Sequence, residues 1–474
     1  MADPSRVITR FFLPGAESRA GAIVDQVATL GDDEVASLVT EVLARFSWRH
    51  KDIEEVLLRH FGAAARLGAL NGTLPRERRL LIGAYCTLEY AIEAVALFNP
   101  SMVMHPVQEG TRDGEVRFLM SVRACGEGHI SSIVFRTGTV DRSGRIQLDP
   151  LGRFASTARP KLEEEIAQEG YRAELQAKEV YDDFARRVLA DLTDPFSITE
   201  LVSAIDRHRL DESSSPAART ETVSWMLWLA QSSYHLDFPV DVEISERVIF
   251  PSHEHERRGI EDARFVRFTE DDGHVVYYGT FTAHDGSFAR PHVVETEDFR
   301  RFRIDALTGR CLCEKGAALF PRRIGGRYVM IARLDGESLF CMQSDNIRCW
   351  NEATKLHGPT EPWEYMLVGN CGSPIETSRG WLLLTHGVGP MRRYCIGAML
   401  LDRDDPARIL ARLREPLLVP DEEDRDGCVP NVVYSCGAML HGDRLILPYG
   451  VSDTATRIAS LSVPELLRRM NGDS

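Results

Sequence analysis

Glu261 and Asp262 stand side by side in Gly259-Ile260-Glu261-Asp262-Ala263-Arg264, directly ahead of the strand-like run Phe265 to Phe268. A carboxyl group held beside a cation can be poised to give or take a proton, and Arg264 supplies the cation two residues on. The same six residues also suit a solvated turn, where Glu-Asp pairs are common, or a plain salt bridge between Asp262 and Arg264. The company they keep downstream separates these readings. Lys315-Gly316-Ala317-Ala318-Leu319-Phe320-Pro321, Gly369-Asn370-Cys371-Gly372-Ser373-Pro374-Ile375, Thr385-His386-Gly387, Pro430-Asn431-Val432-Val433-Tyr434-Ser435-Cys436-Gly437 and Tyr449-Gly450-Val451-Ser452-Asp453-Thr454 follow in order. Most of these segments sit at the starts or ends of strand-like runs, which suits side chains gathered where strands converge.

The elements that must position them change in character along the chain. Val35, Leu38, Val39, Val42, Leu43 and Phe46 recur at helical spacing, with Asp32 and Asp33 placed to favour the positive N-terminus. Ile53, Val56, Leu57 and Phe61 repeat the pattern, and a third helix is expected from about Arg76 to Leu97, between Pro75 and Pro100. This block reads as a helical cap or an oligomerisation surface. From Asn99 the period becomes that of strands, as in Val116 to Arg123 and His129 to Phe135. A second helical segment, about Pro160 to Gln231, interrupts them with a charged helix around Lys161 to Leu189 and an apolar one around Val223 to Leu229. Between these, Asp211-Glu212-Ser213-Ser214-Ser215-Pro216 has the composition of a linker. Strands resume at about Asp237 and recur at Val275 to Phe281, Tyr328 to Arg333, Trp381 to His386, Ile396 to Leu401 and Leu445 to Tyr449.

Composition narrows the class. The 474 residues have room for two or three compact units, and a formal charge of −15 argues against a nucleic-acid surface, which needs concentrated Lys and Arg. Met1 to Gly15 lack the order of a secretory signal, and no apolar run approaches the ~18 residues of a membrane span. Ten cysteines raise the question of metal or disulfides, yet Cys311 and Cys313 are one residue apart and no Cys-x-x-Cys pair exists. Cys371 and Cys436, among glycines and apolar residues, read as small buried thiols. No metal and a reduced cytoplasmic location are the expectations.

The six ordered motifs resemble those of the β-mannoside phosphorylases and β-mannosidases of glycoside hydrolase family 130, from about Asn99 to Leu467 with an interruption. The resemblance implies a mainly β fold, a five-bladed β-propeller with one sugar-binding funnel on its axis. The expected organisation is an N-terminal helical region (1–98), the first part of the propeller (99–155), a helical insertion (156–232) and the rest of the propeller (233–474). Ala263 stands where a proline is commonest and Gly316 where many members carry aspartate, departures that leave the acid in place and the acceptor sugar open.

The implied activity is inverting β-mannoside phosphorolysis: a terminal β-mannosyl unit passes reversibly to inorganic phosphate, giving α-mannose 1-phosphate, with no other cofactor. By position in the motifs Asp262 matches the general acid, thought in these enzymes to pass its proton through a sugar hydroxyl. Arg290, Lys315 and His386 match the phosphate site, and Asn99, Arg123 and Asp453 the mannosyl contacts. Trp363 or Tyr365 would border an acceptor subsite. Two alternatives share the fold, a β-1,2-mannosidase and a mannosyltransferase, and a third is a non-catalytic propeller that binds glycans or proteins. Hydrolysis would need a carboxylate base roughly 6.5–9.5 Å from the acid, and Glu364 and Glu376 are the candidates.

Overall fold

A computed structural model describes residues 2–15, 17–66, 74–163, 165–177, 179–208, 216–286, 289–311 and 315–470. The fold is mainly β. Ala96–Met104, Val116–Cys125 and Ser131–Val140 form an antiparallel meander, and Gly259–Thr269, Val275–His284, Ala289–Thr296 and Arg301–Ala306 form a second. The two touch through the parallel pair Gly259 and Ser131. Ala318–Leu319, Tyr328–Ala332, Leu339–Ser344 and Glu352–His357 make a third sheet. Leu367–Asn370, Gly380–Val388, Tyr394–Leu401 and Ile409–Arg412 make a fourth, and Val433–Tyr434, Arg444–Val451 and Ala455–Ser462 build a fifth with Met439–His441.

The inner strands Val275–His284, Tyr328–Ala332 and Gly380–Val388 are buried on both faces, so their apolar residues run nearly unbroken. Val275–His284 is buried from residue 276 to residue 283. Each apolar face meets the next sheet. Phe135 and Leu119 of the first sheet pack with Phe265, Tyr277 and Ile304 of the second, and Phe268 and Tyr278 of the second with Tyr328 and Met342 of the third. Ile331 and Phe320 meet Trp381 and Leu383 of the fourth, and Leu384 and Ile396 meet Val433 and Leu447 of the fifth. Ile446 and Met439 of the fifth then pack with Met102 and Phe118 of the first. Hydrogen bonds follow the same return: Leu97 N–H donates to Thr454 O at 3.1 Å, and the Thr456 hydroxyl to Leu97 O at 2.9 Å.

The N-terminal region is not all helix. Asp32–Phe46 and Ile53–Ala64 are helices as the spacing predicts, but the helix expected to reach Leu97 spans only Arg76–Tyr85. Thr87–Ala91 is instead a strand paired antiparallel to Val7–Phe11, and the first sheet begins at Ala96. Once a partner strand is available, Leu88 and Tyr90 bury their side chains better on a pleated pair than on a fourth helical turn. A buried ion cluster ties this region to the first sheet, with Arg136 donating to Glu93 at 2.7 Å.

The helical segment that interrupts the strands also differs in detail. Lys161–Leu162 is a short strand, and the charged stretch divides into Gln168–Ala177 and Asp183–Ala190. The Asp182 carboxylate caps the second by accepting the Ala185 N–H at 2.9 Å. Ile198–His208 and Pro216–Gln231 complete the unit around Phe184, Leu201, Ile205, Met226 and Trp228. Of the expected linker, 211–215 lie outside the described residues and Pro216 opens the last of these helices. Among the described residues no helix is long and apolar enough to cross a membrane, and all nine described cysteines are free, with Cys371 and Cys436 buried.

Candidate active site

A cavity of about 170 Å³ opens where the leading strands of the five sheets end, and all five supply its wall. Asn99 comes from the first sheet, Glu261 and Asp262 from the second, Lys315 and Gly316 from the approach to the third, Gly369 and Asn370 from the fourth and Tyr434 from the fifth. Two bulges set the geometry. Strand pairing skips between Glu261 and Arg264, and again between Phe98 and Ser101. In an unbroken strand neighbours point to opposite faces, whereas the bulge lets both Glu261 and Asp262 reach the cavity. Asp262 has φ 56° and Asn99 φ 51°, a left-handed conformation that short amide and carboxylate side chains tolerate. Of eleven described non-glycine residues with positive φ, four (Asn99, Asp262, Arg392 and Asp453) line this cavity, so backbone strain is concentrated there.

The Asn99 amide donates to Asp262 Oδ1 at 2.8 Å, and an Arg123 Nη lies 3.5 Å from the same oxygen. Arg123 also donates to Glu261 at 2.7 Å and to the Ser131 hydroxyl at 2.8 Å, and Lys315 reaches the other Glu261 oxygen at 3.0 Å. Arg264 does not bridge to the Asp262 carboxylate. It donates to the Asp262 backbone carbonyl at 2.8 Å and to the Tyr434 hydroxyl, whose own proton is thereby left for another acceptor. Burial pushes the Asp262 carboxyl up, but Arg123, Arg264, the Asn99 amide and Lys315 outweigh it and hold it below the usual carboxylate value. Asp262 is therefore ionised at neutral pH before any ligand arrives.

Asp453 behaves oppositely. Burial and the adjacent Asp262 charge raise it to about 6, against the pull of Arg123 and Arg392. The folded chain then holds this proton more tightly than the unfolded chain does, so stability on this group's account falls as pH rises from 3.8 to about 6 and is level above. Asp453→Asn cannot ionise, and its thermal midpoint is expected to gain on the wild type across that interval. A midpoint difference constant from pH 4 to pH 7 would contradict this.

His386 projects from the second strand of the fourth sheet, with its ring 4.9 Å from that of Tyr434 and 6.0 Å from that of Tyr394. Burial first, then the Arg333 and Arg264 charges, hold it far below its usual pKa, so the imidazole is neutral. Gly369, paired opposite, makes room for it: a Cβ there would stand 2.2 Å from His386 Cε1. Arg333 follows the strand Tyr328–Ala332, lines the cavity and makes no ion pair among the described residues.

Six of the nine residues named from the sequence thus reach one cavity: Asp262, Lys315, His386, Asn99, Arg123 and Asp453. Arg290, Trp363 and Tyr365 are not among its lining. Arg290 lies on the third strand of the second sheet, its guanidinium 4.8 Å and 4.6 Å from the rings of Trp225 and Trp228. The helical insertion supplies those two indoles, which draw Arg290 by cation–π attraction. Trp363 donates to Arg414 O at 2.8 Å and lies against the faces of Gly387 and Gly397, while Tyr365 is 64% exposed. The two candidate bases are also elsewhere. Glu364 accepts the Thr360 and Glu361 N–H groups at 3.0 Å and 3.1 Å, closing a turn, and Glu376 is forked by Arg322 and Arg403, each at 2.8 Å. Arg333, Arg392, Asn370 and Tyr394 line the cavity and were not singled out from the sequence. Asn370 alone stood within a quoted motif.

A family profile described as beta-1,4-mannooligosaccharide phosphorylase matches residues 222–471. The chain is 32% identical over 229 residues to a 1,2-beta-oligomannan phosphorylase of Thermoanaerobacter sp., covering 48% of this chain and 75% of that protein. It is 31% identical over 233 residues to a beta-1,2-mannobiose phosphorylase of Listeria innocua serovar 6a, covering 47% of this chain and 63% of that one. The crystal structure of a Listeria innocua beta-1,2-mannobiose phosphorylase with beta-1,2-mannobiose superposes with a TM-score of 0.47 at 22% identity, over 80% of this chain and 92% of that one. The profile and the sequence relatives define the protein as an enzyme of a glycoside hydrolase family. The chain belongs to glycoside hydrolase family 130.

Proposed function

We propose that this chain is an inverting β-mannoside phosphorylase, transferring a terminal β-mannosyl unit to inorganic phosphate, on a five-bladed β-propeller whose axis carries the cavity. The observation that carries the reading is the sharing of one cavity by a half-buried carboxylate, Asp262, with Lys315, Arg333 and the neutral His386. The propeller reading is supported by the five consecutive sheet-to-sheet cores and by the return of the fifth sheet to the first. The divisions 1–98, 99–155, 156–232 and 233–474 remain our proposed organisation, with strands already present at Val7–Phe11 and Thr87–Ala91.

In this reading Lys315, Arg333 and His386 bind phosphate. The lysine and arginine offset its charge while His386 donates one hydrogen bond from its neutral ring. Asn99, Arg123 and Asp453 hold the mannosyl unit, and Tyr434 offers a hydroxyl donor. Ionised Asp262 must acquire a proton before it can give one to the departing oxygen. An incoming phosphate anion supplies the condition, because negative charge beside Asp262 cancels the pull of the cations and raises its proton affinity. In the reverse direction the ionised carboxylate is already the base that takes the acceptor's proton. This reading gives Arg290 no role, its guanidinium lying over the rings of Trp225 and Trp228. Neither Glu364 nor Glu376, the carboxylates expected as bases for hydrolysis, lines the cavity.

The test is incubation with α-mannose 1-phosphate and a panel of mannosides as acceptors. Phosphate release that requires an acceptor supports the proposal, and cleavage of β-mannobiose at a rate indifferent to added phosphate sinks it. Gly369→Ala should lower the phosphorolysis rate about 10²-fold by displacing the His386 ring. A folded variant, by circular dichroism, that keeps its rate would remove His386 from the phosphate site.

A further inference from the structure

A second polar cluster is buried where the helical insertion meets the second sheet. His255 and Glu256 occupy the single turn Glu254–Glu256, just ahead of the strand that carries Asp262, and His292 lies in Ala289–Thr296. One donor atom from each of the three lies within 4.8 Å of the others. Glu256 and His292 are fully buried and His255 nearly so. Nε2 of His255 and Nε2 of His292 have no hydrogen-bond partner, and the 3.9 Å from His255 Nε2 to Glu256 Oε1 is too long for one. A buried ring nitrogen left this way forfeits its hydration for nothing in return.

The surroundings preset these atoms as ligands. His292 Nδ1 lies 3.1 Å from Arg290 O, which fixes the proton on Nδ1 and leaves the Nε2 lone pair free to coordinate. Glu256 is oriented by the Tyr234 hydroxyl at 2.8 Å on Oε1 and by the Ser252 N–H at 2.8 Å on Oε2. Trp228 of the insertion sets its ring edge-on to both His255 and His292, and Phe281 stacks on His292 at 5.2 Å, so the walls are apolar. His253, stacked on His255 at 5.5 Å with its own Nε2 buried and unpartnered, stands beside them as a further donor.

We propose that His255, Glu256 and His292 bind one divalent transition-metal ion of the zinc type. Two imidazoles and a carboxylate suit such an ion, whereas Ca²⁺ and Mg²⁺ prefer oxygen alone. Ligand bonds of about 2.0 Å put donor atoms about 3.3 Å apart in a tetrahedron, so the three side chains close inward by roughly 1 Å. Glu256 offsets part of the ion's charge against the neighbouring Arg290. None of the three lines the cavity, and the ion's work is to clamp the turn before the Asp262 strand to the sheet and, through Trp228, to the insertion. The sequence offered no short regular spacing for this set, because His292 is brought in by strand pairing from 36 residues beyond Glu256.

The test uses the purified full chain, stripped with EDTA, reloaded with Zn²⁺ and desalted. One zinc per chain by elemental analysis is expected, with the thermal midpoint, read at Zn²⁺ a hundredfold over its Kd, about 3 °C above that of the stripped protein. His292→Phe keeps the ring stack on Phe281 while removing the donor, and His255→Gln removes the second nitrogen; each should lose the retained zinc and the midpoint rise. Wild type that retains no zinc, or zinc retained equally by both variants, would overturn the site and assign any bound ion to surface histidines or thiols. Zinc content is read independently of turnover, so failure here leaves the phosphorylase reading untouched.

Discussion

Asp262→Asn should abolish phosphorolysis, lowering kcat by at least about 10³-fold, while leaving the circular dichroism spectrum close to wild type. The amide keeps the size of the side chain and can still accept from Asn99, so the bulge that holds it need not change. What disappears is the proton that an alkoxide leaving group requires and the negative charge that Arg123 and Arg264 now face. The loss should be smaller for mannosides with acidic leaving groups, which depart without protonation, and this contrast separates a proton donor from a merely structural aspartate. A variant that turns over natural mannosides at a near-normal rate removes Asp262 from the mechanism.

Arg333→Ala and Lys315→Ala should each lower kcat/KM for phosphate by about 10²-fold or more, with the double variant approaching the two losses combined. The two cations differ in what else they hold. Lys315 also pairs with Glu261 at 3.0 Å, so its removal frees a carboxylate that repels the incoming anion, whereas Arg333 has no such partner among the described residues. Arg333→Ala should therefore raise KM for phosphate and spare that for the mannoside, while Lys315→Ala disturbs both. Steady-state kinetics with phosphate and mannoside varied in turn reads the difference, and an unchanged KM for phosphate in Arg333→Ala would move the anion elsewhere in the cavity.

The residues that sequence reasoning found and those it missed differ in a physical way. Asn99, Asp262 and Asp453 occupy left-handed backbone at bulges and strand ends, and they, Lys315 and His386 were marked by matching positions of the resembling family. Arg333 and Arg392 look like ordinary charges after a strand and at an exposed hairpin tip; only the convergence of five sheets turns them to the same cavity as Asp262. Arg290 stands apart from the cavity for the opposite reason. Its position in the second sheet was legible, but the insertion that places Trp225 and Trp228 over it has no counterpart in the motif series. The helix drawn through Arg76 to Leu97 was overridden by a partner strand some eighty residues upstream, which no local pattern reveals.

The bonds between Leu97 and residues Thr454 and Thr456, with Ser101 set against Gly437, have a consequence for synthesis. The strand bearing Asn99 pairs early with Val116–Cys125, yet its other side stays open until residues 437–456 have emerged. Assembly of the pocket thus waits on these late residues, and a chain cut short before Met439 would leave Met102 and Phe118 as a sticky, uncovered surface available to chaperones or to aggregation.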